Sequence, residues 1–261
     1  MTIDYEVSGA GSTVVLLHAG VCDRRMWGPQ ARDLADAGYR VVLPDLCGFG
    51  RTPAPVHPQS DADDVIAVLT ELGIERTALV GASYGGAVAA EIAARFPARV
   101  GALVLLSSAL ATHEPSSELR AFAAREDDLL EAGDVDGAVE LNVATWLGPE
   151  ADEQTRDDVR RMQRRAFDLQ LHADEVEEIE HEFDPGTIVA PTLVVSGAHD
   201  LVDFGQIADE LGRRIGDARR EQLDWAGHLP TLERAREGFE LVRGFLDDVW
   251  GRTADRVPGS R

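Results

Sequence analysis

Short runs of consecutive apolar residues recur along this 261-residue chain, and most are followed by a stretch with helical periodicity. The runs are TVVLL at 13–17, RVVL at 40–43, TALV at 77–80, VGALVLL at 100–106 and PTLVVS at 191–196. They are apolar throughout rather than alternating, as expected of strands buried on both faces. Strands of that kind, separated by helices, imply an α/β fold with a mostly parallel sheet and helices on both faces. The helical stretches run over 26–37, closed by Gly38, from Asp61 to about Leu72 before Gly73, and over 84–95. Glycine just past the last periodic residue is a C-terminal helix signal. The rhythm returns late in the chain with helices near 205–215 and 234–250 around a strand at 220–223.

Between 112 and 185 the rhythm stops, leaving charged helical sequence such as SSELRAFAAREDDLLEAG with no strand pattern. This stretch holds 22 acidic residues against 7 arginines, a net of −15 out of the whole chain's −22. The expected organisation is an α/β core over 1–111 and 186–250 and a helical lid over 112–185, inserted after the fourth parallel strand. Residues 251–261 read as a frayed tail.

Composition removes several chemistries. All 25 basic residues are arginine, so a lysine Schiff base, a phosphate-holding P-loop lysine and a kinase-type lysine are impossible. The negative charge opposes binding to nucleic acid or an anionic membrane surface. Cys22 and Cys47 lack metal-ligand spacing and make no disulfide scaffold. No apolar stretch approaches the roughly 18 residues of a membrane span. The first residues, MTIDYEVSG, carry no signal-peptide pattern, which sets the expectation of a cytoplasmic protein.

The segment Gly81-Ala82-Ser83-Tyr84-Gly85-Gly86 sits between a strand and a helix, the setting of a G-x-S-x-G nucleophile elbow. A serine at so sharp a turn has a strained backbone, and its neighbours two residues away approach closely. Glycines at 81 and 85 have no Cβ to clash, and Gly86 lets the helix approach the sheet. A serine hydroxyl needs a base, and the base needs an orienting acid, in the chain order Ser, Asp, His. Asp200 follows the strand PTLVVS and His228 precedes the last helix, so Ser83, Asp200 and His228 form the candidate triad. Asp203 is an alternative acid, further from the strand end. His199 reads as a structural loop histidine, Ser107 and Ser108 lack an elbow, and His57, His113, His172 and His181 lack a partner pattern. Glu233 and Asp224 read as surface charges.

Acyl transfer also requires N–H donors for a developing oxyanion. The backbone N–H of Tyr84 is one candidate. The second comes from the loop after the first strand, with Gly20 first and Val21 as the alternative, while His18 braces that loop.

With these residues in place the sequence resembles the α/β-hydrolase superfamily, through HAG at 18–20, DLCGFGRT at 45–52, GASYGG at 81–86, GAHD at 197–200 and AGHLP at 226–230. Within the lid, DLLEAGDVDGAVELNVATWLGPE at 128–150 is similar to the 3-oxoadipate enol-lactonase-like branch. The resemblance implies Ser83 as nucleophile, His228 as base, Asp200 as its partner, no cofactor, and Trp146 either lining the pocket or packing in the core. Two positions depart from the family pattern: Ala19 where His-Gly is usual, and Cys47 where D-x-R-G-x-G has arginine. The expected activity is hydrolysis of a small-molecule ester or lactone through an acyl-enzyme on Ser83. Carbon–carbon bond hydrolysis, cofactor-free perhydrolysis and ligand reception use the same fold and remain open. The acidic lid disfavours anionic substrates unless Arg120, Arg125 or the arginines of 160–165 face the pocket.

Overall fold

The computed structural model describes residues 3–173, 176, 179 and 181–250, and the backbone of 251–254. In chain order the elements are β1 (Tyr5–Gly9), β2 (Thr13–Leu17), α1 (Gly28–Asp36), β3 (Arg40–Pro44), α2 (Asp61–Glu71), β4 (Thr77–Ala82), α3 (Tyr84–Arg95) and β5 (Val100–Leu106). They continue with α4 (Ser117–Glu131), α5 (Val135–Trp146), α6 (Glu153–Gln170), β6 (Thr192–Gly197), α7 (Val202–Arg214), β7 (Ala218–Leu223), α8 (Pro230–Glu233) and α9 (Ala235–Ala254). One seven-stranded sheet has the order β1-β3-β2-β4-β5-β6-β7. The β1–β3 pair is antiparallel, and the other neighbours are parallel.

The continuous apolar runs are explained by the two faces they serve. Along β2, Val15 and Leu17 pack with α2, α3 and α7 on one face, and Val14 and Leu16 pack with α1 and α9 on the other. The same alternation holds in β5, with Leu103 and Leu105 on the first face and Val104 and Leu106 on the second. Each such side chain, fully buried, contributes about 1.5–3 kcal/mol.

β1 has no counterpart in the sequence reading, because an edge strand pairs on one side only. Four of its five residues are exposed, so YEVSG carries no apolar run. The helix expected over 26–37 begins as a 3₁₀ turn at Arg24–Trp27 and becomes α-helical at Gly28. At the other end α9 reaches Ala254, so the first residues of the expected tail are helical, and 255–261 lie outside the described residues.

Between β5 and β6 the chain leaves the sheet for α4, α5 and α6. Ser116, Asp134 and Asp152 cap these helices by accepting the N–H groups of Leu119, Gly137 and Thr155. A cap of this kind is typically worth about 1 kcal/mol. Leu129, Ala138, Val139 and Phe167 form a small apolar cluster where α4, α5 and α6 meet.

Candidate active site

β4 ends at Ala82 and α3 begins at Tyr84, so Ser83 alone makes the turn, with φ 52° and ψ −114°. A non-glycine residue in such a conformation costs about 1–3 kcal/mol and persists only where its surroundings dictate it. Here they do. The Ser83 N–H donates to the Leu106 carbonyl at 2.9 Å, and its own carbonyl accepts from the N–H groups of Gly86, Ala87 and Ala109. A Cβ at Gly81 would lie 2.2 Å from the Gly85 carbonyl oxygen, and one at Gly85 would lie 2.5 Å from the carbonyl oxygens of Leu17 and His18. Both obstacles are backbone, so the elbow closes only on glycine. Ser107, just after β5, also has positive φ (43°) but is fully buried and has no helix following it directly.

Asp200 and His228 follow β6 and β7, at the same carboxyl edge of the parallel strands as Ser83. Backbone bonds from Ala198 N–H to the Leu223 carbonyl and from His199 N–H to the Ala226 carbonyl, 3.0 and 2.9 Å, tie these two loops together. His228 Nδ1 lies 2.7 Å from Asp200 Oδ2, with both side chains buried. Asp200 Oδ1 accepts the Leu201 N–H at 2.8 Å, which fixes the carboxylate's rotation. The imidazole packs against two aromatic rings, Phe204 at 4.1 Å and Trp146 at 4.7 Å between centroids, which also touch each other.

Of the two placements expected of Trp146, the ring packs in the core, buried at 7% exposure, and it carries α5 onto the candidate base. Its indole N–H donates to Asn142 Oδ1 at 2.9 Å, which sets the ring's orientation. Asp203, the alternative acid, is occupied elsewhere. Its carboxylate accepts from the Ser116 N–H and hydroxyl at 2.7 and 2.6 Å and meets His113 Nε2 at 3.0 Å, anchoring the start of α4. Burial acts to raise the pKa of Asp203, but the hydrogen bonds from Ser116 and His113 outweigh it and hold the carboxyl below its usual range.

The loop after β2 comes against the elbow. The Cys22 N–H bonds to the Ala19 carbonyl at 3.0 Å, making a turn with Gly20 and Val21 at its centre. A Cβ at Gly20 would sit 3.6 Å from the Tyr84 Cβ, so Gly20 lies beside the first residue of α3. The N-terminal end of a helix carries partial positive charge, which favours an anion there. His18 braces this loop: Nε2 accepts the Leu46 N–H at 3.0 Å, and Nδ1 donates to the Ala19 carbonyl at 2.9 Å. Burial lowers its pKa, and the acceptor role of Nε2 requires the neutral ring.

The sequence reading misplaced Glu233. It is buried, at 8% exposure, and its carboxylate accepts the Gly227 N–H at 2.9 and 3.1 Å and the Leu229 N–H at 3.3 Å. It thus clasps the backbone on both sides of His228. The available signal was an acidic residue one turn into the short helix that follows Gly-His-Leu-Pro. Asp224 is exposed, as expected. Cys22 and Cys47 are buried free thiols that pack on opposite faces of the sheet. Cys47, Asp61 and Asp64 place potential ligand atoms within 4.8 Å of one another. Burial pushes the Cys47 thiol up to about 11 and also raises Asp64, which opposes the deprotonated state a metal needs.

A parallel sheet with a strained serine elbow and a carboxylate–imidazole pair at its carboxyl edge defines a hydrolase of the α/β class. Residues 12–151 match the family described as alpha/beta hydrolase fold, and the chain belongs to that family. It is 33% identical to the 2-hydroxy-6-oxononadienedioate/2-hydroxy-6-oxononatrienedioate hydrolase of Paraburkholderia phymatum, over 94% of this chain and 91% of that one. It is 29% identical to the 2-hydroxy-6-oxo-6-phenylhexa-2,4-dienoate hydrolase of Comamonas testosteroni, over 94% and 91%. Among solved structures it is similar to the enol-lactonase from Burkholderia xenovorans LB400, with 25% identity, a TM-score of 0.75 and coverage of 94% and 96%. No helix among the described residues is long and apolar enough to cross a membrane.

Proposed function

We propose that the protein is a serine hydrolase of small-molecule carboxylic esters or lactones. The observation that carries the reading is the 2.7 Å contact between His228 Nδ1 and buried Asp200, on the strand edge that holds Ser83 in its positive-φ turn. Asp200 fixes the imidazole with Nδ1 protonated, which leaves Nε2 to act as base. Ser83 Oγ attacks the carbonyl carbon as its proton passes to His228. The N–H groups of Gly20 and Tyr84 stabilise the oxyanion, with Val21 as the alternative to Gly20. Collapse breaks the bond to the alkoxy oxygen, which leaves with the proton from His228. Water, deprotonated by His228, then releases the acid and restores Ser83. No step uses a cofactor or metal. In this reading α4–α6 form the lid, and Trp146 shields the imidazole from water.

Ser83→Ala tests the assignment. It is expected to lower kcat/KM for p-nitrophenyl butyrate by at least about 10³-fold, within the range for loss of a triad member, with an unchanged circular dichroism spectrum. An organophosphonate should label the unmutated protein once, at Ser83. Retained activity in the variant overturns the triad, and failure to label favours a receptor on the same fold.

Carbon–carbon bond hydrolysis by the same residues is the second reading, supported by the identity to the two dienoate hydrolases. Turnover of 2-hydroxy-6-oxo-dienoates exceeding that of any ester would favour it.

A further inference from the structure

Asp203 is fully buried in the first turn of α7, and the proposed triad does not use it. Its carboxylate accepts from three groups on the segment that leads into α4: the Ser116 N–H at 2.7 Å, the Ser116 hydroxyl at 2.6 Å and His113 Nε2 at 3.0 Å. Hydrogen bonds to an ionised acceptor are roughly twice as strong as neutral ones. Ser116 passes the constraint on, because its hydroxyl oxygen also accepts the Leu119 N–H at 3.1 Å and so caps α4. The first turn of α4 is thereby fastened to the first turn of α7.

Apolar packing alone holds α4 weakly. Leu129 is its only buried residue and packs with α5 and α6, while Leu119 and Phe122 reach the larger core half-buried. Two contacts then carry the position of α4 to Trp146. The Phe122 ring meets the indole edge to face, 4.7 Å between centroids. Glu126 accepts from Asn142 Nδ2, and buried Asn142 accepts the indole N–H on Oδ1 at 2.9 Å. Trp146 in turn packs on the His228 ring and on Phe204, the residue after Asp203.

We propose that Asp203 is a positioning residue for His228: by fixing the start of α4 it holds Trp146 against the imidazole and so keeps the base in its working place. One carboxylate then serves both partners of the ring. It anchors α4, which sets Trp146, and it sits next to Phe204 in the first turn of α7. A base displaced by a fraction of its hydrogen-bond length from the serine loses rate without any change in its own chemistry. This inference rests on the reading of His228 as the base, and it adds a residue that acts on that base through α4 and Trp146.

The test uses Asp203→Ala, which removes all three bonds, and Asp203→Asn, which keeps one acceptor oxygen and carries the test if the alanine variant does not fold. Active sites are counted by labelling with an organophosphonate to completion, and kcat for p-nitrophenyl butyrate is expressed per labelled site. A purely structural loss lowers the number of sites and leaves kcat per site unchanged, whereas a misplaced base lowers kcat per site. The expected fall is at least fivefold in Asp203→Ala, with Asp203→Asn intermediate. An unchanged kcat per site in the folded variants overturns the proposal. A second measurement is independent of catalysis. Acrylamide should quench tryptophan fluorescence more strongly in Asp203→Asn than in the unmutated protein, and the increase should vanish when both carry Trp146→Phe. No increase, or an increase that persists without Trp146, overturns the proposal. A Trp146-dependent increase together with turnover that survives Ser83→Ala would overturn the hydrolase reading alone.

Discussion

Replacement of Glu233 by alanine tests how His228 is held. The carboxylate is buried and accepts two N–H groups, from Gly227 and Leu229, on either side of the imidazole. Its removal leaves two buried donors without an acceptor, each costing about 1–3 kcal/mol. The Leu229 bond is long, at 3.3 Å, so the lower half of that range applies to it. The expected total is about 3 kcal/mol, which in a domain of this size lowers Tm by roughly 6–12 °C. Glu233→Gln retains one acceptor oxygen and should lose about half as much. The segment after α5 is coupled to the same point: a Cβ at Gly148 would lie 2.4 Å from Glu233 Oε2 and 2.5 Å from the Gly227 nitrogen, so that segment rests directly on the clasp. Thermal unfolding by circular dichroism gives the stability term, and ester hydrolysis at 25 °C, where the variant remains folded, gives the functional one. Activity per folded molecule should fall at least tenfold, because the imidazole's position depends on the loop as well as on Asp200. A Tm change below 2 °C would refute the energetic argument. A large Tm change with unaltered kcat/KM would show that Asp200 alone positions the ring.

Gly81→Ala should cost about 3 kcal/mol or more, above the usual 1–3 kcal/mol of overpacking, since its Cβ meets backbone that side-chain motion cannot relieve. Gly244→Ala in α9, with nothing within 4 Å of the new Cβ, should instead stabilise by about 0.5–1 kcal/mol, and a similar denaturation midpoint for the two variants would contradict the contrast. Buried His18 has a pKa lowered from its ordinary 6.5, so below that pH the unfolded chain binds more protons than the native one. Stability from His18 is complete above pH 6.5 and declines as pH falls; His18→Gln should flatten the Tm–pH slope between about pH 7 and 5.5, and an unchanged slope would overturn the assignment of a neutral ring. Burial raises both thiols, Cys47 to about 11, so neither should react with a disulfide reagent at pH 8 within minutes, and both should react once urea is added. Rapid labelling of the native protein would show that the thiols are exposed or activated.

The fold was legible because its determinants are local. Fully apolar runs such as TVVLL and VGALVLL report burial on two faces, and the turn around Ser83 requires glycine at 81 by a contact with Gly85, while the requirement at 85 comes from Leu17 and His18 on a distant strand end. β1 was not legible: an edge strand is half solvated, and its polar sequence resembles a loop. The site divides along the same line. The sequence placed Ser83, Asp200 and His228 after strands that a parallel sheet brings to one edge, since every parallel strand ends on the same side.

The tertiary structure alone decided between neighbouring carboxylates. Asp200 and Asp203 are three residues apart, yet one, in the loop before α7, meets His228 and the other, in the first turn of α7, holds Ser116 and His113. Glu233 looked like surface charge until α8 folded it beneath the His228 loop. Asp61 looked like a helix-opening residue until the Tyr84 hydroxyl and the Cys47 N–H met its buried carboxylate. In each case a carboxylate's role depends on donors distant in sequence and on the water excluded around it. Those quantities are absent from the order of residues and exist only once the chain has packed.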